Sequence, residues 1–210
     1  MRLRHLILLL PALLLAGCGD GTTPTSDAAP SPALLAAAPA PSAPGAVAGR
    51  TADSVRREFV TYRAGAAAVT YDTAVVPAGA TAQVRTTSTP AGVTVSLAVT
   101  GMIAHRAYGA HLHTMACTEL PDAAGPHYQH NADPAKPSVD PEYANPRNEV
   151  WLDFTADAHG AARVSSAEKW AFDEAHPPRS LILHAQLTRT KAGVAGTAGP
   201  RVACLTLSTT

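Results

Sequence analysis

Nine histidines occur in this chain of 210 residues, and four of them fall where a metal site would need them. His111 and His113 form an H-x-H pair within Ala110-His111-Leu112-His113-Thr114. Side chains alternate across a strand and each residue advances it by about 3.3 Å, so both imidazoles share one face, roughly 7 Å apart. A single cation can lie between them. His127 follows Gly125-Pro126, and His184 ends the apolar run Ser180-Leu181-Ile182-Leu183, where a ligand is a better reading than a surface residue. An H-x-H pair alone is a weak signal, and four such histidines together are a stronger one. His105 and His159 sit in polar, turn-like stretches and His176 precedes two prolines, so these three read as solvated. No nucleophile elbow, phosphate-binding glycine loop or CxxC pair accompanies them, and Asp53, Asp72 and the glutamates show no paired acid–base spacing.

The elements that must hold these histidines are short and alternating. Val93, Val95, Leu97 and Val99 recur at period two with Thr94, Ser96 and Ala98 between them, the pattern of a strand with one buried face. Similar runs at 57–63, 69–75, 80–86, 149–154, 161–165, 181–187 and 202–207 are separated by Gly, Pro, Asp and Asn. This gives about eight strands and no convincing amphipathic helix. One helical turn is conceivable in 167–175, stopped by Pro177 and Pro178. The fold class is therefore all-β, an antiparallel sandwich or barrel with long loops at 114–147 and 188–200. Trp151 and Trp170 belong in or beside its core.

Ahead of this domain the chain changes character. Residues 1–17 read as an export signal, with Arg2 and Arg4 before an apolar run from Leu6 to Leu15, too short for a permanent span. The run ends in Leu15-Ala16-Gly17-Cys18, which resembles a bacterial lipobox, so Cys18 is expected to carry lipid. Residues 18–50 are rich in Ala, Pro, Ser, Thr and Gly and cannot build a core; they read as a semi-extended tether of at most about 3.1 Å per residue. Residues 51–210 form the domain. Sixteen basic and sixteen acidic residues cancel, and loss of the signal leaves 14 against 16. Such a balance argues against nucleic acid as a partner.

Read in order, Gly109-Ala110-His111-Leu112-His113, Cys117, Gly125-Pro126-His127-Tyr128, Leu183-His184-Ala185 and Gly199-Pro200-Arg201-Val202-Ala203-Cys204 resemble the motifs of the copper/zinc superoxide dismutases. Thr155-Ala156-Asp157 followed by Gly160 adds a weaker match, and the resemblance covers about residues 80–207. It implies an eight-stranded antiparallel Greek-key barrel, copper held by His111, His113, His127 and His184, and superoxide as substrate. It also implies a Cys117–Cys204 disulfide, suited to an oxidising compartment. Arg201 would flank the open copper position and attract the anion, and His127 would share the catalytic role with it.

The zinc half of the pattern is missing. After His127 the long loop offers only His130, and Arg147-Asn148-Glu149 stands where the family has histidine and aspartate. Zinc binding in the family manner is doubtful on this reading; His130 with Asp133, Asp140 or Glu149 is an improvised option. A carboxylate on the free nitrogen of His127 is the expected replacement. The family's aspartate four residues after the last copper ligand falls on Thr188, which is expected to weaken support on that side. The overall expectation is a copper dismutase, lipid-anchored on the extracytoplasmic face of a membrane. The alternative is a noncatalytic copper-binding lipoprotein, and a homodimer is left open.

Overall fold

The computed structural model describes residues 51–207, so the signal, the tether and Cys18 lie outside the described residues. The period-two run around Leu97 is β5 (Gly92–Thr100), an inner strand of a four-stranded sheet. Its neighbours are β4 (Thr81–Thr89), then β1 (Thr51–Glu58) on one side, and β8 (Ala162–Glu168) on the other, all antiparallel. Val84, Leu97 and Val164 align in one row and point inward, while Arg85, Ser96 and Ser165 align in the next and point outward. Alternation thus fixes both the register and the buried face.

The facing sheet runs in the order β2 (Val60–Thr61), β3 (Ala68–Thr70), β10 (Arg201–Thr206), β9 (Ser180–His184), β6 (Ala107–His113), β7 (Phe154–Thr155). Only β2 and β3 pair in parallel. The two sheets close over one core that includes Val84, Val95, Leu97, Tyr108, Leu112, Leu181, Leu183 and Leu205. The chain crosses between sheets at β1–β2, β3–β4, β5–β6, β7–β8 and β8–β9, whereas its longest connection joins β6 to β7 within one sheet.

The all-β sandwich agrees with the sequence reading, whereas the strands are ten among the described residues and form two ladders instead of one closed barrel. Two of the ten, β2 and β7, are two residues long. The strand expected at 149–154 is mostly isolated bridges, His111 to Trp151 and Gln129 to Glu149. The reason is local: Ala110 donates its backbone N–H to the Asp153 carboxylate at 3.1 Å, which interrupts the backbone ladder. In 167–175, β8 continues to Glu168, and Asp173 then makes a turn by accepting the N–H groups of Ala175 and His176. The only helical segment among the described residues is a 3-10 turn at Pro121–Ala124, inside the long loop.

The strand that matters most for the site is β6, buried on both faces. Tyr108, Ala110 and Leu112 face the core, and His111 and His113 face the other way, yet both are fully buried beneath loops. Gly109 lies opposite His184 in the β6–β9 register. A Cβ there would meet the Gln186 carbonyl at 2.6 Å and Ala198 Cβ at 2.7 Å, so glycine is what lets residues 185–200 lie on the sheet. That segment is itself hydrogen-bonded back on itself, Gln186 to Ala198 and Arg189 to Thr197.

The inward and outward rows make a direct prediction. Leu97→Ala should lower the unfolding free energy by about 2–5 kcal/mol, and Ser96→Ala should change it by no more than about 0.5 kcal/mol. Urea midpoints at unchanged slope measure both, and equal losses would contradict the assigned faces.

Candidate metal centre

Three elements bring the four histidines together. His111 and His113 project from the loop-covered face of β6, His184 is the last residue of β9, and His127 reaches β6 through an isolated bridge with His113. One candidate ligand atom from each lies within 4.8 Å of all the others. The rings of His111 and His127 have centroids 4.1 Å apart, and those of His127 and His184, 5.9 Å.

Each ring is held by one nitrogen and left open at the other. His113 Nδ1 donates to the Gly125 carbonyl at 2.9 Å, and His184 Nδ1 donates to the Gly199 carbonyl at 3.2 Å. His127 Nδ1 lies 2.8 Å from Glu149 Oε2, and His111 Nε2 lies 2.7 Å from Thr188 Oγ1. The opposite atoms, His111 Nδ1, His113 Nε2 and His184 Nε2, are buried with no hydrogen-bond partner among the described residues. A buried acceptor without a partner costs roughly 1–3 kcal/mol, and three around one space call for a common explanation. A cation taking the open nitrogens supplies it, with the second nitrogens anchored as ligating imidazoles require. The residues therefore fit a metal ion; imidazole donors suit copper, zinc, iron and nickel.

The electrostatics also favour a cation over protons. Burial, then the neighbouring His127, then the other rings and Arg201 hold the His111 pKa well below the ordinary range. His113 is lowered likewise, by burial first and then His127 and Arg201. Burial followed by His127 takes His184 down to about 3, against a small opposing effect of its bond to Gly199. The three buried rings are thus neutral lone-pair donors at neutral pH.

Arg201, at the start of β10, pairs with His184 in the sheet register. Its guanidinium donates to the Pro121 carbonyl at 3.0 Å and to the Gly125 carbonyl at 2.8 Å, and its Nε lies 3.7 Å from the exposed Asp122 carboxylate. The Gly125 carbonyl therefore accepts from both Arg201 and His113. Cys117 and Cys204 are joined, tying the long loop to β10 across 87 residues of sequence.

Glu149 is the carboxylate expected at the free nitrogen of His127. It is buried; Oε2 accepts from His127 and from Trp151 Nε1 at 2.7 Å, and Oε1 accepts from Gln129 Nε2 at 2.8 Å. Gln129 also donates to Ser138, which donates to the buried Asp133, so a polar chain through the long loop fixes this carboxylate. His130 is stacked on Trp170, with centroids 4.9 Å apart and planes 7° from parallel. The improvised grouping of His130 with Asp133 or Glu149 is not formed, because both carboxylates are committed elsewhere. Thr188 does not weaken its side of the site either, since its hydroxyl meets the His111 ring. No motif in the sequence marks Asp153, which accepts from Thr188 behind His111. Glu149 reaches His127 and Trp151 reaches Glu149, from an i, i+2 spacing that puts both side chains on one face.

The lowered histidine pKa values fix the sign of a pH effect in the metal-free protein. The unfolded chain takes up protons at these sites near pH 6.5, and His184 takes its own up only near 3 when folded. Between those values the unfolded state binds more protons, so stability present above pH 6.5 is lost as pH falls towards 3. Thermal midpoints of the metal-free protein should drop from pH 7 to pH 5, before the carboxylates titrate; an unchanged or higher midpoint would contradict the neutral assignments.

No protein-family model matches the chain. No curated protein matches it. Among solved structures, the chain is similar to the Cu/Zn superoxide dismutase from Brucella abortus, at 20% identity and a TM-score of 0.44, over 60% of this chain and 88% of that one. It is also similar to a double mutant of a SOD-like protein from Bacillus subtilis, at 18% identity and a TM-score of 0.45, over 60% of this chain and 87% of that one. A single mutant of that SOD-like protein matches at 16% identity and a TM-score of 0.44, over 59% and 86% of the two chains.

Proposed function

We propose that this chain is a copper-dependent superoxide dismutase, anchored by lipid on Cys18 to the extracytoplasmic face of a membrane. The observation that carries the reading is the cluster of four imidazoles with three buried, unpartnered nitrogens facing one space. The order and spacing of the sequence motifs select copper among the metals that imidazole suits. Copper held by these nitrogens would supply a one-electron couple, matched to a net reaction in which two superoxide ions and two protons give oxygen and hydrogen peroxide.

The chain's own residues account for the rest. His111, His113 and His184 are buried and neutral, so they compete poorly for protons and stay available as ligands. The His127 side chain is 17% exposed, which makes its edge of the cluster the one nearest solvent. Arg201, also partly exposed, contributes to lowering the pKa of all three buried histidines, so its charge is felt where an anion would arrive. Its two carbonyl acceptors hold it in place relative to His113. Glu149 keeps a proton on His127 Nδ1, the atom a second metal would otherwise need, and this supports a site that works without zinc.

The disulfide supports an oxidising compartment. With Cys18 lipidated, all three cysteines are used, so a thiol reagent should find no free thiol in the native lipoprotein; a reactive one would break either the anchor or the bridge.

Loading the full, oxidised chain with copper tests the activity. One copper per chain and dismutation are expected. His184→Ala should lose both, whereas Arg201→Ala should keep copper, lose about 10-fold or more in rate and lose the dependence on salt. Stoichiometric copper without dismutation would favour the noncatalytic copper-binding reading. No copper would overturn both, and one equivalent of zinc alongside copper would contradict the zinc-free site.

A further inference from the structure

His111 is the odd member of the cluster. His113, His127 and His184 each commit Nδ1 to an oxygen, whereas His111 commits Nε2 and leaves Nδ1 open. The cause is a count of hydrogens at Thr188. Its Oγ1 lies 2.7 Å from Asp153 Oδ1, and a carboxylate only accepts, so the single hydroxyl hydrogen goes to Asp153. Only lone pairs remain for His111 Nε2, 2.7 Å away, and that nitrogen must therefore carry the ring proton. A neutral imidazole has one N–H, so Nδ1 is left as a lone pair facing the cluster.

The carboxylate behind this relay is fixed by the backbone. Asp153 Oδ2 accepts the Thr188 N–H at 2.6 Å, and Oδ1 accepts the Ala110 N–H at 3.1 Å, the residue just before His111. One side chain thus joins β6 to the segment that covers it. Asp153 itself stands 3.8 Å from His111 Nε2, too far for a hydrogen bond, so the hydroxyl is required between them.

We propose that Thr188, oriented by Asp153, is the positioning residue that decides which nitrogen of His111 is offered to the metal. The assignment of the proton stands on the protein alone; the effect on copper rests on the proposed function. Thr188→Val keeps the side-chain shape and removes the acceptor, leaving a buried Nε2–H unpaired and the proton free to move to Nδ1. Thr188→Ser restores the hydroxyl.

Nitrogen-15 spectra of the histidine rings in the full, metal-free chain read the tautomers directly. Expected is an Nε2–H ring at His111 and Nδ1–H rings at His113, His127 and His184. In Thr188→Val, His111 should shift towards the Nδ1–H form, and Thr188→Ser should return it. In parallel, the copper dissociation constant should rise about 10–100-fold in Thr188→Val and recover in Thr188→Ser. An Nδ1–H ring at His111 in the unaltered chain overturns the proposal, and this holds even if the valine variant fails to fold. Unchanged tautomer or unchanged copper affinity in a folded valine variant also overturns it, as does a loss that serine does not repair. Absence of copper binding in the unaltered chain would remove the proposed function, while the ring spectra would still decide the tautomer claim.

Discussion

Three imidazole nitrogens are buried facing one another with nothing to donate to them, and the rest of the molecule is arranged around that fact. Water would satisfy them if the sheet face were open, and protons would if the site were less buried. Here β6 is covered on both faces, and burial together with the neighbouring rings drives the histidine pKa values down. What remains is a set of fixed lone pairs, a demand that a cation meets and few other ligands can.

Holding lone pairs in place requires that every opposite nitrogen be anchored, and four different devices do this. Two are main-chain carbonyls at glycines, one is a buried carboxylate, and one is a hydroxyl backed by a carboxylate. Each anchor is tied to structure outside the cluster. The Gly125 carbonyl also accepts from Arg201, and the loop that carries it is pinned to β10 by the disulfide. Glu149 is the end of a polar chain through Gln129, Ser138 and Asp133. The long loop is therefore ordered by the site it builds, which accounts for its length with only one 3-10 turn and isolated bridges as regular structure.

Much of this was legible in the residues. Period-two alternation located β4, β5 and β10 to within a few residues, and the H-x-H pair placed two ligands on one face. The strand carrying that pair is not among the period-two runs, because Gly109 and Ala110 have little strand propensity and leave only the H-x-H pair to mark it. The 149–154 stretch misled for the opposite reason: its residues have strand propensity, but their side chains are spent on the site. Glu149 holds His127, Trp151 holds Glu149, and Asp153 takes a backbone N–H that a ladder would have used. Thr188 reads as a loss when compared with a family pattern, and only the geometry reveals a relay through a carboxylate 35 residues away.

On the proposed function, four imidazole nitrogens, three Nε2 and one Nδ1, would hold a single copper ion. Electron–nuclear double resonance on the full chain, labelled with nitrogen-15 histidine and loaded with one equivalent of Cu(II), counts the coordinating nitrogens. Strong coupling to four histidine nitrogens is expected. Coupling to two or fewer would mean that the buried lone pairs serve some other purpose and would contradict the proposed function.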